Sequence, residues 1–82
     1  MPAFHYVYIL QSIPYPTHFY TGCTTDLPSR VAKHNEGGNP NTAAFRPWSI
    51  KTATAFSDPS RADAFERYLK SSSGRSFAKK HL

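Results

Sequence analysis

Two short runs of aromatic and β-branched residues, Phe4–Leu10 and Phe19–Thr24, lie close together near the N-terminus with a proline-bearing break between them. Phe4-His5-Tyr6-Val7-Tyr8-Ile9-Leu10 reads as a first strand, because these side chains suit a pleated, half-buried surface. Ile13-Pro14-Tyr15-Pro16 breaks that strand and turns the chain. Phe19-Tyr20-Thr21-Gly22-Cys23-Thr24 then resumes extended structure, so the two runs form a hairpin with a long loop. Gly22, near the end of the second run, marks a bulge or a point where another backbone or a ligand comes close.

Beyond the hairpin, helix and strand alternate. Thr25-Asp26 is a helix start, with Pro28 in the first turn, where its missing N–H is not needed. Leu27, Val31 and His34 recur at i, i+4 and i+7 along that helix, and Gly37-Gly38 stops it. Residues 36–47 are polar, contain Gly, Asn and Pro, and read as an exposed loop. Trp48–Phe56 reads as a third strand, with Trp48 as a core anchor. Asp58-Pro59 caps a second helix, which runs through Ala62, Phe65, Tyr68 and Leu69 to about Ser71. Ser73–Lys80 reads as a short basic C-terminal helix. The order is met by an α+β fold, a small antiparallel sheet covered by helices.

Eighty-two residues is the length of one domain with a small core. Ten Lys and Arg residues face five Asp and Glu residues, and the pI is about 9.7. That imbalance favours a polyanionic partner, most simply nucleic acid. The lone cysteine, Cys23, excludes an internal disulfide and a cysteine-based zinc site, and fits the reducing cytoplasm. Met1-Pro2-Ala3-Phe4 has no basic, apolar leader pattern, and no apolar run approaches the ~18 residues of a membrane span.

Five residues suggest chemistry. Arg30 and His34 are four apart and share one face of the first helix. An arginine fork suits a phosphate, since it donates two parallel hydrogen bonds. The simpler alternatives are an arginine lying along the surface and a helix-terminal histidine favoured by the dipole. Tyr8 and Tyr20 sit on adjacent strands, where tyrosine is also a common packing residue; Tyr6 and Tyr15 are read as packing alone. Glu66 borders the apolar face of the second helix, four residues after Ala62 and three before Leu69. It is either an ion-pair partner of Lys70 at i+4 or a metal ligand.

Taken in order, these residues resemble the GIY-YIG nuclease superfamily, in particular small single-domain members similar to the N-terminal nuclease domain of the UvrC excision-repair subunit. Tyr6-Val7-Tyr8 stands where the GIY triplet would be, and Tyr20-Thr21-Gly22 where YIG would be. Arg30 comes eight residues after that glycine and His34 twelve after it. Glu66, in Ala64-Phe65-Glu66-Arg67-Tyr68-Leu69-Lys70, stands at the place of the family's metal-binding glutamate. Cys23 occupies a position where some members carry lysine, and no asparagine follows Asn41, where many members carry a late one. The resemblance spans residues 4–80 and implies a three-stranded antiparallel sheet flanked by helices.

It also implies a function: metal-dependent hydrolysis of DNA phosphodiester bonds, in repair, recombination or processing. In that reading Tyr8, Tyr20, Arg30, His34 and Glu66 are catalytic and line one concave surface. Glu66 holds Mg²⁺, with Mn²⁺ as a substitute, and Arg30 neutralises the phosphate. Tyr8 or Tyr20 accepts or passes on a proton, and has to be made more acidic than the usual pKa of about 10 to do so. His34 positions a hydroxyl or shuttles the proton. Lys70, Arg75, Lys79 and Lys80 hold the DNA backbone, and a partner protein supplies specificity. The alternatives are a nucleic-acid-binding module without cleavage and a protein-interaction domain.

Overall fold

The central strand of the sheet is the first in sequence, β1 (His5–Ser12), flanked by β2 (Phe19–Thr24) and β3 (Trp48–Phe56), both antiparallel to it. The structure, a computed structural model, describes residues 3–82; Met1 and Pro2, which bear only on the absence of a leader pattern, lie outside the described residues. Alternation along β1 divides the core in two. Val7 and Ile9 point to one face and pack against Ala62 and Leu69 of α2 (Pro59–Leu69), with Phe77 and Ala78 of α3 (Ser72–His81) beside them. Tyr8 and Leu10 point to the other face, where they meet Trp48 and the apolar stripe of α1 (Leu27–Asn35), Leu27 and Val31. Burying each aliphatic side chain of this kind contributes about 1.5–3 kcal/mol.

Local chemistry sets the helix ends. Asp26 caps α1 by accepting from the Ser29 N–H, Asp58 caps α2 from Ser60, and Ser71 caps α3 from Gly74. Pro28 and Pro59 sit in first turns, as the sequence suggested. Gly37 takes φ +80° just after α1, a left-handed conformation that ends the helix without a Cβ clash.

The structure departs from the sequence reading at three places. β1 begins at His5 and continues through Gln11 and Ser12, two polar residues. Ser12 is buried because its hydroxyl donates to the Phe45 carbonyl and accepts from the Tyr15 N–H. Residues 36–47 are not uniformly exposed: Thr42 is buried, and Ala43–Phe45 form a short 3₁₀ turn. The Trp48 indole N–H donates to the Thr42 carbonyl at 2.9 Å, which folds this segment over the end of α1. Lys51 is an extra residue in β3, skipped as the pairing passes from Ile9–Thr52 to Leu10–Ile50. Among the described residues no helix is long and apolar enough to cross a membrane.

Candidate active site

Tyr8 brings the site together from the middle of the sheet. Its cross-strand partner is Gly22, and its ring leans over that residue. A Cβ at position 22 would stand 2.5 Å from the Tyr8 hydroxyl and 3.1 Å from the Tyr20 ring. The glycine is therefore a site of close side-chain approach, one of the two readings its place in the strand allowed. Tyr20, beside it on β2, closes the group: the Tyr20 and His34 ring centroids are 4.7 Å apart, and those of Tyr8 and Tyr20 are 6.3 Å apart.

His34 is buried, with 2% of its surface exposed, and both ring nitrogens are engaged. Thr42 Oγ1 donates to the Asn39 carbonyl at 3.3 Å, so it is an acceptor for His34 Nδ1–H at 2.9 Å. That leaves the Nε2 lone pair for the Tyr8 hydroxyl at 3.2 Å. The network thus assigns a neutral, Nδ1-protonated imidazole. Burial pushes the His34 pKa below the ordinary histidine value, and the Arg30 charge pushes the same way. A dipole-favoured cation at the helix end does not describe this residue, because the charged form is the one disfavoured.

The tyrosine at the other end of that bond is not acidified. Burial, reinforced by the neighbouring Tyr20 and opposed by Arg30, pushes Tyr8 up to about 12. The sequence reading has Tyr8 or Tyr20 made acidic by the metal or by nearby cations; at Tyr8 the Arg30 charge alone does not outweigh burial, and the hydroxyl donates to His34.

Arg30 is exposed on α1, and its charge reaches Tyr8, Cys23 and His34. With Lys33, His34, Gly38, Asn39 and Pro40 it lines a cavity of about 350 Å³. Glu66 approaches from α2, on the other side of β2, and its charge also acts on Tyr8 and Cys23. Its side chain is 21% exposed and accepts from Lys70 Nζ at 2.9 Å, so the ion-pair alternative is realised in this structure. The five residues therefore surround the same stretch of β1 and β2, Tyr8, Tyr20, Arg30 and His34 on the α1 side and Glu66 from α2. Arg30 and His34 open on one concavity and Tyr20 on another, while the Tyr8 ring is wholly buried.

Among the described residues no three of His, Cys, Asp and Glu gather closely enough to cage a metal. One partly buried carboxylate does fit a hard cation such as magnesium, which keeps several waters and takes further oxygens from a substrate phosphate. Lys70, Arg75 and Lys79 share a larger groove beside β2, and Lys80 is exposed outside its lining. Thr42 was missed by sequence reasoning, since a threonine in a polar, glycine-bearing loop carries no signal of burial.

A three-stranded antiparallel sheet with paired tyrosines on two strands, an Arg-x₃-His helix and a glutamate helix defines a class. The chain belongs to the GIY-YIG family, whose catalytic-domain model matches residues 4–80. Among curated proteins it is similar to the structure-specific endonuclease subunit SLX1 of Scheffersomyces stipitis, 40% identical over 72 residues, covering 80% of this chain and 21% of that protein. The SLX1 subunit of Meyerozyma guilliermondii is likewise 40% identical over 72 residues, covering 79% of this chain and 23% of its own length. That of Debaryomyces hansenii is 40% identical over 55 residues, covering 60% and 16%. The chain spans about a fifth of the length of the curated relatives it matches.

Proposed function

We propose that this domain is a divalent-metal-dependent DNA endonuclease that cleaves at structural features of DNA and works with a partner protein. The observation that carries the reading is the Tyr8–His34 hydrogen bond, held between the Arg30 charge and the Glu66 charge. The relatives' names, structure-specific endonuclease subunits, support a branched or otherwise non-uniform DNA substrate and an assembly with another chain. The half-buried free thiol of Cys23 is compatible with a reducing compartment such as the cytoplasm.

Arg30 binds the scissile phosphate and offsets its growing charge. The attacking water gives a proton to Tyr8 Oη as the Tyr8 proton passes to His34 Nε2, a step that requires the substrate complex to admit water to a hydroxyl buried in the free domain. Neither a free tyrosinate nor an acidic tyrosine is then needed, which suits a hydroxyl whose pKa is pushed up to about 12. His34 has the Nε2 lone pair to accept with while its Nδ1–H stays on Thr42, and a phosphate bound at Arg30 offsets the charge that, with burial, disfavours the resulting cation. Tyr20 packs against the imidazole and holds it in line. Glu66 would hold the divalent ion, Mg²⁺ or Mn²⁺, in place of its present partner Lys70, which would be free to meet the DNA backbone. Such an ion supplies Lewis-acid neutralisation of the phosphate and the leaving oxygen.

A second reading, a nucleic-acid-binding module without cleavage, is favoured by the Glu66–Lys70 ion pair, which occupies the carboxylate. One experiment separates the two. The protein and its Glu66→Gln variant are incubated with branched, flapped, nicked and single-stranded DNA in Mg²⁺ or Mn²⁺, with thermal melts confirming both are folded. The nuclease reading expects metal-dependent cleavage by the wild type. It expects none by Glu66→Gln, which should bind DNA as well or slightly better, having lost one negative charge. Equal cleavage by both sinks the metal role of Glu66, and no cleavage by either supports the binding module.

A further inference from the structure

Beside the candidate active site, on the α2/α3 side of the sheet, runs a groove of about 940 Å³. Its apolar floor includes Ile9, Leu69 and Ala78. Four cations line it, Lys51, Lys70, Arg75 and Lys79, and no acidic residue does. These come from three separate parts of the chain, the β3 bulge, the end of α2 and the body of α3. Their convergence is a product of the fold and not of a charge run in sequence.

The groove also carries an aromatic platform. Phe19, the first residue of β2, is 49% exposed, and Lys51 Nζ lies 5.0 Å from its ring centroid. Phe19 and Ser49 both pair with Gln11 of β1, and Lys51, two residues on from Ser49, lies on the same face of the sheet. A half-exposed ring with an ammonium over one face, leaving the other for a base, in a basic, acid-free trough, matches what an unpaired nucleic-acid strand requires. Bases stack on the ring, and phosphates meet the cations. A duplex hides its base faces and cannot use Phe19 in this way. An acidic peptide without aromatic side chains could use the cations but has no flat face for the ring.

The groove joins the candidate site at two residues. Tyr20 lines it while its ring packs on His34, and Lys70 lines it while holding Glu66.

We propose that this groove is a binding site for a single-stranded DNA segment, the unpaired arm of the substrate, with Phe19 stacking a base and Lys51, Arg75 and Lys79 holding its phosphates. The proposal rests on the nucleic-acid reading of the domain but not on cleavage.

The test is fluorescence anisotropy with labelled oligo-dT and with a blunt duplex of equal phosphate number, in EDTA so that no cleavage occurs. Wild type should bind oligo-dT more tightly than the duplex. Phe19→Ala should weaken oligo-dT binding by roughly tenfold, the loss of one stacked base, and leave duplex binding nearly unchanged. Phe19→Trp, which keeps a ring, should retain the affinity and guards against a folding defect in the alanine variant. Lys51→Gln should weaken oligo-dT binding and lower its salt dependence. Arg67→Ala removes an equal charge at an exposed residue outside the groove, paired with Asp63, and should change little.

Unchanged oligo-dT binding by folded Phe19→Ala overturns the proposal. So does a preference for duplex, or a poly-glutamate peptide bound with the same Phe19 dependence. Any of these can occur while metal-dependent cleavage persists, so failure of the groove is distinguishable from failure of the nuclease reading. If wild type binds no oligonucleotide of either form, the nucleic-acid reading falls with it.

Discussion

The Tyr8 hydroxyl sits directly above the Cα of Gly22, its partner across the β1–β2 pairing, leaving no room for a methyl group between them. The Cβ of an alanine there would be 2.5 Å from Tyr8 Oη. Gly22→Ala should force the Tyr8 ring to shift and stretch its bond to His34. A cost of about 1–3 kcal/mol is expected from overpacking, with cleavage falling further than DNA affinity. Thermal melts with parallel cleavage and binding assays check this, and an unshifted melt with full activity would show that the ring has slack.

The two tyrosines should respond differently to loss of their hydroxyls. Tyr8→Phe leaves the buried Nε2 of His34 without a partner, a cost of about 1–3 kcal/mol. For a domain of this size that lowers the melting temperature by roughly 4–8 °C per kcal/mol. The described hydrogen bonds include none to the Tyr20 hydroxyl, so Tyr20→Phe should stay within about 0.5 kcal/mol of wild type. On the proposed proton relay, Tyr8→Phe also suffers the larger loss in cleavage rate. The reverse order would move the base to Tyr20.

Thr42 fixes the tautomer of His34 from outside the tyrosine pair. Thr42→Val, nearly isosteric, removes the acceptor for Nδ1–H and should cost about 1–3 kcal/mol. Thr42→Ser restores the hydroxyl and should recover most of both stability and rate. The readout specific to the tautomer is the imidazole nitrogen shifts by NMR, which should move in the valine variant and return in the serine one.

Acid should destabilise the fold through His34. Its pKa lies below the unfolded value of about 6.5, through burial first and the Arg30 charge second. Between the two values the unfolded chain binds more protons, so stability rises with pH in that window and is lost as pH falls through about 6.5. The melting temperature of wild type should therefore drop from pH 7 to pH 5 by more than that of His34→Gln. Equal drops would assign the acid sensitivity elsewhere.

The parts of the structure governed by local chemistry were readable in the sequence. Asp26 and Asp58 with their nearby prolines marked the helix starts, Gly37 marked a helix stop, and the aromatic runs marked the hairpin. The motif positions of Tyr8, Tyr20, Arg30, His34 and Glu66 pointed to a region that the fold does draw around β1 and β2. The unreadable parts depend on contacts across the chain. Thr42 is inside because a histidine eight residues earlier and a tryptophan six residues later both bond to it, and no periodicity announces that. Lys51 meets Phe19 only through the strand order and register, which set both outer strands against Gln11 of β1. The high pKa of Tyr8 results from complete burial, which alternation alone does not distinguish from half-burial.

The placement of Tyr8 on the central strand has a consequence for how this domain can change over time. Its ring fills the core on one side of the sheet while its oxygen bonds to the buried histidine, so one side chain serves both demands. A substitution that silences this oxygen also opens an unsatisfied group in the interior. Descendants that lose this oxygen must then repair the packing at Gly22, His34 and Thr42 together, and single steps along that route are penalised. A lineage retaining a stable fold is thereby biased towards retaining the aligned hydroxyl, whether or not selection acts on activity at that moment.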